Sequence, residues 1–111
     1  MQFYNNPACN LDSPGFDASF AAWSADLAAA GAAKGGRGPK VFIGAPSFGK
    51  GGSGYVDSQR FASLVQKVKG SGTSNFGGVM LWDGAEGRFN VDQNERSFLQ
   101  TTKAALTGTY T

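Results

Sequence analysis

The run Phe76-Gly77-Gly78-Val79-Met80-Leu81-Trp82 is a short, continuous apolar stretch, and Asp83-Gly84-Ala85-Glu86-Gly87 turns the chain away from it. A run of this length and character suits a strand covered on both faces, as in a parallel sheet. Upstream, Lys40-Val41-Phe42-Ile43-Gly44 repeats the pattern with three adjacent apolar residues, two of them β-branched. At the start of the chain Met1-Gln2-Phe3-Tyr4-Asn5 reads as a third strand, stopped by Asn6-Pro7.

A helical pattern follows each strand. Phe16, Phe20, Trp23 and Leu27 recur at i, i+4, i+7 and i+11, which predicts one buried helix face with Trp23 in the core; Gly31 or Gly35-Gly36 can end it. After a Gly/Ser-rich loop from Pro46 to Tyr55, Asp57 or Ser58 can cap a helix packed through Phe61, Leu64, Val65 and Val68 and ended at Gly70. Asp92 with Glu95 has the form of a capping box for a last helix packed through Phe98, Leu99, Thr102 and Leu106, with a frayed tail from Thr107. Strands and helices alternate, so the fold class is α/β with three parallel βα units, approximately 1–37, 38–72 and 73–106, and a tail over 107–111.

Composition narrows the chemistry. The 111 residues are 41% hydrophobic and 13% aromatic, too apolar for a disordered chain, and the length fits one small domain. Ten basic and eight acidic residues give a net charge of +2 without any basic stripe, which argues against nucleic acid as a partner. With no His, Ser-His-Asp and Cys-His catalysis and His-ligated zinc are excluded. A single cysteine, Cys9, excludes an internal disulfide and every CxxC metal site. No cofactor or metal is expected. No apolar run approaches the ~20 residues of a membrane helix, and Met1-Gln2-Phe3-Tyr4 does not have the form of a signal peptide. Carboxylates, amides, hydroxyls and aromatic faces are left to act.

Two groupings test poorly as active sites. Gly44-Ala45-Pro46-Ser47-Phe48-Gly49-Lys50 follows a strand and approaches the phosphate-loop pattern, but Gly51 stands where the magnesium-binding hydroxyl belongs and the helix starts at Asp57 or later. Asp83 and Glu86 are the carboxylates nearest a strand's C-terminal end, yet they share one short Gly-rich loop and read as solvated loop residues.

Three parallel strands also leave a sheet incomplete. Helices can cover one face, while the other, with Phe3, Phe42 and Met80 or their neighbours, stays open beside two unpaired edges. An apolar face of that kind invites self-association or completion by further units.

Three blocks in order give a specific resemblance. Gln2-Phe3-Tyr4-Asn5-Asn6-Pro7, then Val41-Phe42-Ile43-Gly44-Ala45-Pro46 with Gly52-Ser53-Gly54-Tyr55-Val56, then Phe76 to Asp83 resemble the last three strands of the class III chitinases of glycoside hydrolase family 18. The resemblance covers nearly the whole chain and implies a fragment of a TIM (β/α)8 barrel more than twice this length. It also implies a secreted, extracellular parent that cleaves β-1,4-linked N-acetylglucosamine polymers by a retaining, substrate-assisted route, in which the sugar's own acetamide attacks the anomeric carbon. The family's Asp-x-x-Asp-x-Asp-x-Glu signature has no match here, so the general acid is absent from this chain.

The same resemblance assigns roles residue by residue. Tyr4 would hydrogen-bond the acetamide carbonyl, with Gln2 and Asn5 supplying neighbouring polar contacts and Trp82 forming the floor under the sugar ring. Residue type alone reads Gln2 and Tyr4 as a polar network filling a barrel interior, Asn5 as a turn former and Trp82 as core. The resemblance also implies that Cys9 pairs with a cysteine in an upstream unit, a partner this chain does not contain. The expected partner is chitin or a chito-oligosaccharide. The alternative is a non-catalytic sugar-binding or self-associating βα module.

Overall fold

Six elements build the protein in the computed structural model, which describes residues 1–36 and 38–111. They are α1 (Phe16–Ala32), β1 (Val41–Pro46), α2 (Ser58–Gly70), β2 (Phe76–Trp82), α3 (Gly84–Phe89) and α4 (Phe98–Thr107). β1 and β2 pair in parallel, with Gly44 opposite Met80 and Pro46 opposite Trp82. The expected first strand shrinks to a single parallel bridge between Gln2 and Gly44, in which Phe3 N–H donates to the Gly44 carbonyl and Gly44 N–H to that of Met1. The sheet is therefore two-stranded, with the Gln2 segment bridged to β1 at one point. Asn5 turns left-handed, at φ 56°, and ends the extended run one residue before Asn6-Pro7.

Helix ends follow their local chemistry. Asp57 Oδ1 accepts from Arg60 N–H at 2.8 Å and caps α2, while Ser97 and Gln100 form a reciprocal capping box on α4. The box expected at Asp92 and Glu95 is therefore displaced. Asp92 Oδ1 instead accepts from the backbone of Asn94 and Arg96, an Asx-type turn that competes with helix initiation. Gly108 closes α4 in the left-handed conformation, φ 81°, and the tail beyond it is held by Thr109 and Tyr110 N–H on the Ala104 carbonyl.

The helices cover one sheet face. Val41, Ile43 and Ala45 of β1 are buried there with Phe61, Val65 and Val68 of α2 and Phe98 and Ala105 of α4. Phe61 stacks on Phe98 with ring centroids 5.5 Å apart, which joins α2 to α4. Phe3, Phe16, Phe20 and Phe76 continue the aromatic layer under α1. Phe3, expected on the open face, is fully buried in this layer.

Trp23 corrects the other way, at 43% exposure. At about 100° per residue, Phe16, Phe20, Leu27 and Gly31 define the stripe of α1 that meets the core. Ser24 lies on the flank bonded to Asn75, with Ser24 Oγ donating to Asn75 Oδ1 at 2.7 Å, and Trp23 sits on the opposite flank, turned away from α2.

On the other sheet face Phe42 and Met80 are exposed, as expected, and Trp82 stands with them. β2 is not covered on both sides, whereas β1 is buried at every residue but Phe42. The Phe42 ring lies so close to Gly77 that a Cβ there would sit 2.6 Å from it, which accounts for glycine at this position beside the register shift between Val41 and Phe42.

Candidate functional site

Three chain segments end together at one rim of the sheet. Gln2 stands level with Gly44 and Met80, and Pro46 with Trp82, while Tyr4 lies two residues past Gln2 in a bend where the ladder has ended. Trp82 is 54% exposed and ends β2, whereas Tyr4 is only 7% exposed. The structure thus keeps Gln2, Tyr4 and Asn5 on one segment bridged to β1 at Gln2, with Trp82 at the end of β2 across β1.

The neighbouring amides serve the backbone. Gln2 Nε2 donates to the Tyr4 carbonyl at 3.0 Å. Asn5 grips Ser53 at both ends of its residue: its N–H donates to the Ser53 carbonyl at 3.0 Å, and its Oδ1 accepts from Ser53 N–H at 2.9 Å. Asn10 adds a bond from Nδ2 to Ser53 Oγ at 3.3 Å. The loop over residues 51–54 is docked on the segment after Tyr4 by these amides, and Gly54, at φ 90°, has no room for a side chain against Asn10.

A second polar group lies beneath Trp82, and nothing in the sequence spacing announced it. Ser47 is fully buried at the end of β1; its N–H donates to the Trp82 carbonyl at 2.8 Å and its hydroxyl to the Asp83 carbonyl. Asn90 Nδ2 donates to the Ser47 carbonyl and to Tyr55 Oη, both at 2.9 Å. Gly87 lets α3 approach, since a Cβ there would stand 2.8 Å from Ser47 Cβ. The Trp82-Asp83 peptide is cis.

The remaining candidates resolve plainly. Asp83 Oδ1 accepts from Glu86 N–H at 2.9 Å and caps α3, and Glu86 is exposed. They are a helix cap and a surface carboxylate. The stretch Gly44–Lys50 forms no phosphate cradle: Gly44 N–H and Ser47 N–H are spent on Met1 and Trp82, and α2 begins only at Ser58. Cys9 is a free, buried thiol. A cleft of about 540 Å³ between α1 and the end of α2 lies at the opposite end of β2 from Trp82. Its polar rims are already tied by the Lys67–Asp17 pair at 2.7 Å and by Ser24 with Asn75. Among the described residues no helix is long and apolar enough to cross a membrane.

No family model matches the chain. Comparison with known proteins does find relatives. "Endochitinase 3" of Metarhizium robertsii is 37% identical over 84 residues, 75% of this chain and 24% of the relative. "Acidic endochitinase" of Phaseolus angularis is 34% identical over 96 residues, 85% of this chain and 28% of the relative. "Chitinase 3" of Candida albicans is 34% identical over 111 residues, 96% of this chain and 18% of the relative. Its homologues are chitinases. This chitinase-like chain spans about a quarter, or less, of the length of the relatives it matches.

Proposed function

We propose that the chain is the last three βα units of a family 18, class III-type chitinase barrel, over about 1–37, 38–72 and 73–106 with the tail 107–111. In this reading it carries part of a chitin-binding cleft and not the catalytic acid. One observation supports it: Pro46 and Trp82 end paired strands on the C-terminal rim of a parallel sheet, where barrel enzymes gather their sites, beside a sheet face on which Phe42, Met80 and Trp82 are exposed. In the parent activity Trp82 floors the sugar ring and Tyr4 holds the acetamide carbonyl, with Gln2 and Asn5 beside it. Asn5 does this while keeping its own grip on Ser53. The general acid comes from units this chain does not contain, and the complete protein works outside the cell on β-1,4-linked N-acetylglucosamine polymers.

A second reading, a non-catalytic module that binds chito-oligosaccharide or a copy of itself, draws on the exposure of Phe42, Met80 and Trp82. The accessible surface is 6304 Å², against about 5,800 Å² for a closed monomer of this size, and the excess of about 500 Å² is a large part of the ~800 Å² each partner buries in a standard interface.

Long incubation of the purified chain with tetra-N-acetylchitotetraose, read by mass spectrometry, tests the first reading. The expected result is no cleavage by the chain alone and cleavage when the missing units are supplied as a second polypeptide. Cleavage by the chain alone overturns it. Sedimentation of the chain without sugar tests the association: a mass above the monomer is expected, and a sharp monomer refutes it.

A further inference from the structure

We infer that Ser47 and Asn90 are positioning residues that fix the exposed Trp82 ring at the rim; the inference rests on the sugar-platform reading of Trp82. A ring that is 54% exposed is held by few side-chain contacts, so its direction depends on the backbone that carries it. That backbone is pinned directly after its Cα, at two successive carbonyls. Ser47 N–H takes the Trp82 carbonyl and Ser47 Oγ takes the next one, at Asp83. Ser47 has no exposure of its own, so it cannot exchange these bonds for water.

Asn90 completes the arrangement from the other side of the chain. Its Nδ2 holds the Ser47 carbonyl and Tyr55 Oη together, while its own N–H donates to the Glu86 carbonyl and its carbonyl accepts from Phe98 N–H. Tyr55 in turn packs on Phe98, whose ring is fully buried against Phe61. One amide therefore ties the end of β1, Tyr55, α3 and the start of α4 to the residue that holds the two carbonyls following the Trp82 Cα. This is pre-organisation: the ring faces the ligand without having to be ordered by it.

The test uses the full chain carrying Trp23→Phe, which leaves Trp82 as the sole indole. Asn90→Ala, Asn90→Asp and Ser47→Ala are compared at a temperature well below each variant's unfolding midpoint, by fluorescence anisotropy and acrylamide quenching of Trp82 and by titration with tetra-N-acetylchitotetraose. The expected result is lower anisotropy, stronger quenching and about tenfold weaker binding in Asn90→Ala, with Asn90→Asp the same because it keeps the shape and loses both donors. Unchanged anisotropy and quenching in folded variants overturn the inference, even where the midpoint falls, because a purely structural role moves stability alone. Should Asn90→Ala not fold, Ser47→Ala, which deletes one hydroxyl, decides by the same readouts. If the parent chain does not bind the tetrasaccharide, the platform reading fails by itself, and the anisotropy still judges the positioning.

Discussion

Trp82→Ala and Trp23→Ala form a matched pair, because the structure assigns the two indoles similar burial and different places. Trp82 is 54% exposed, so of the roughly 250 Å² a tryptophan side chain offers, about 115 Å² is withdrawn from water. At about 25 cal/mol per Å² this is at most ~3 kcal/mol. Trp23, 43% exposed, withdraws about 140 Å², or at most ~3.5 kcal/mol. The two truncations therefore lower stability by nearly the same amount, and a difference in ligand binding between them is not a folding effect. Loss of the aromatic platform is expected to cost at least ~2 kcal/mol of binding, about 30-fold in Kd, for Trp82→Ala, and less than about threefold for Trp23→Ala. The assay is calorimetric or NMR titration of each variant with tetra-N-acetylchitotetraose, with urea unfolding run in parallel. Equal loss of binding in both variants, or loss confined to Trp23→Ala, refutes the placement of the site on the rim.

Three further outcomes follow from the packing and the caps. Phe61→Ala removes a fully buried ring stacked on Phe98 and is expected to cost about 3–5 kcal/mol, a large part of a typical total of ~5–15, seen as a lower urea midpoint. Ser97→Ala breaks the capping box of α4 and should cost about 0.5–2 kcal/mol by the same measurement, whereas Asp92→Ala should not behave as the loss of a helix cap in helix content by circular dichroism. Gly54→Ala places a Cβ 2.6 Å from the Asn10 amide at φ 90° and is expected to cost about 2 kcal/mol or more, with faster proteolysis of the loop over residues 51–54.

Two of the three expected strands were legible because their signal is local. The apolar blocks at Val41 and Phe76 carry the β-branched and aromatic residues of strands, and helix α2 announced itself through Asp57, its apolar spacing and Gly70. Three features depended instead on what was near in space. Trp23 has the spacing of a core residue, yet a stripe has two edges, and Trp23 lies on the edge opposite Ser24 and Asn75, where it stays 43% exposed. Asp92-x-x-Glu95 has the letters of a capping box, but the Asp92 carboxylate is taken by the nearby amides of Asn94 and Arg96, and Ser97 with Gln100 wins the helix. The short helix α3 lies within what the Gly-rich composition marked as a turn. At the rim, the place of Trp82 at the end of a strand was readable. Ser47 and Asn90 were not, since a serine after a strand and an asparagine in a loop are ordinary letters. Their roles arise from bonds across 36 and 43 residues of chain.

The two faces of the sheet explain how a piece of this size can hold a shaped rim without being a finished site. The helix face is self-sufficient: α1, α2 and α4 bury one continuous layer from Phe16 to Phe98, and that layer fixes β1 and β2 in register. The rim inherits its order from the same layer through Tyr55, Asn90 and Ser47, so its geometry does not depend on the open face. The open face contributes nothing comparable, because Phe42, Met80 and Trp82 each keep about half of their surface in water. Stability and the geometry around Trp82 are therefore supplied from the helix side. On the proposed reading, the enclosure that excludes water from a reacting bond and the acid that protonates it would be supplied by further units packed on Phe42 and Met80, which would bury the apolar face and close the cleft over Trp82 together.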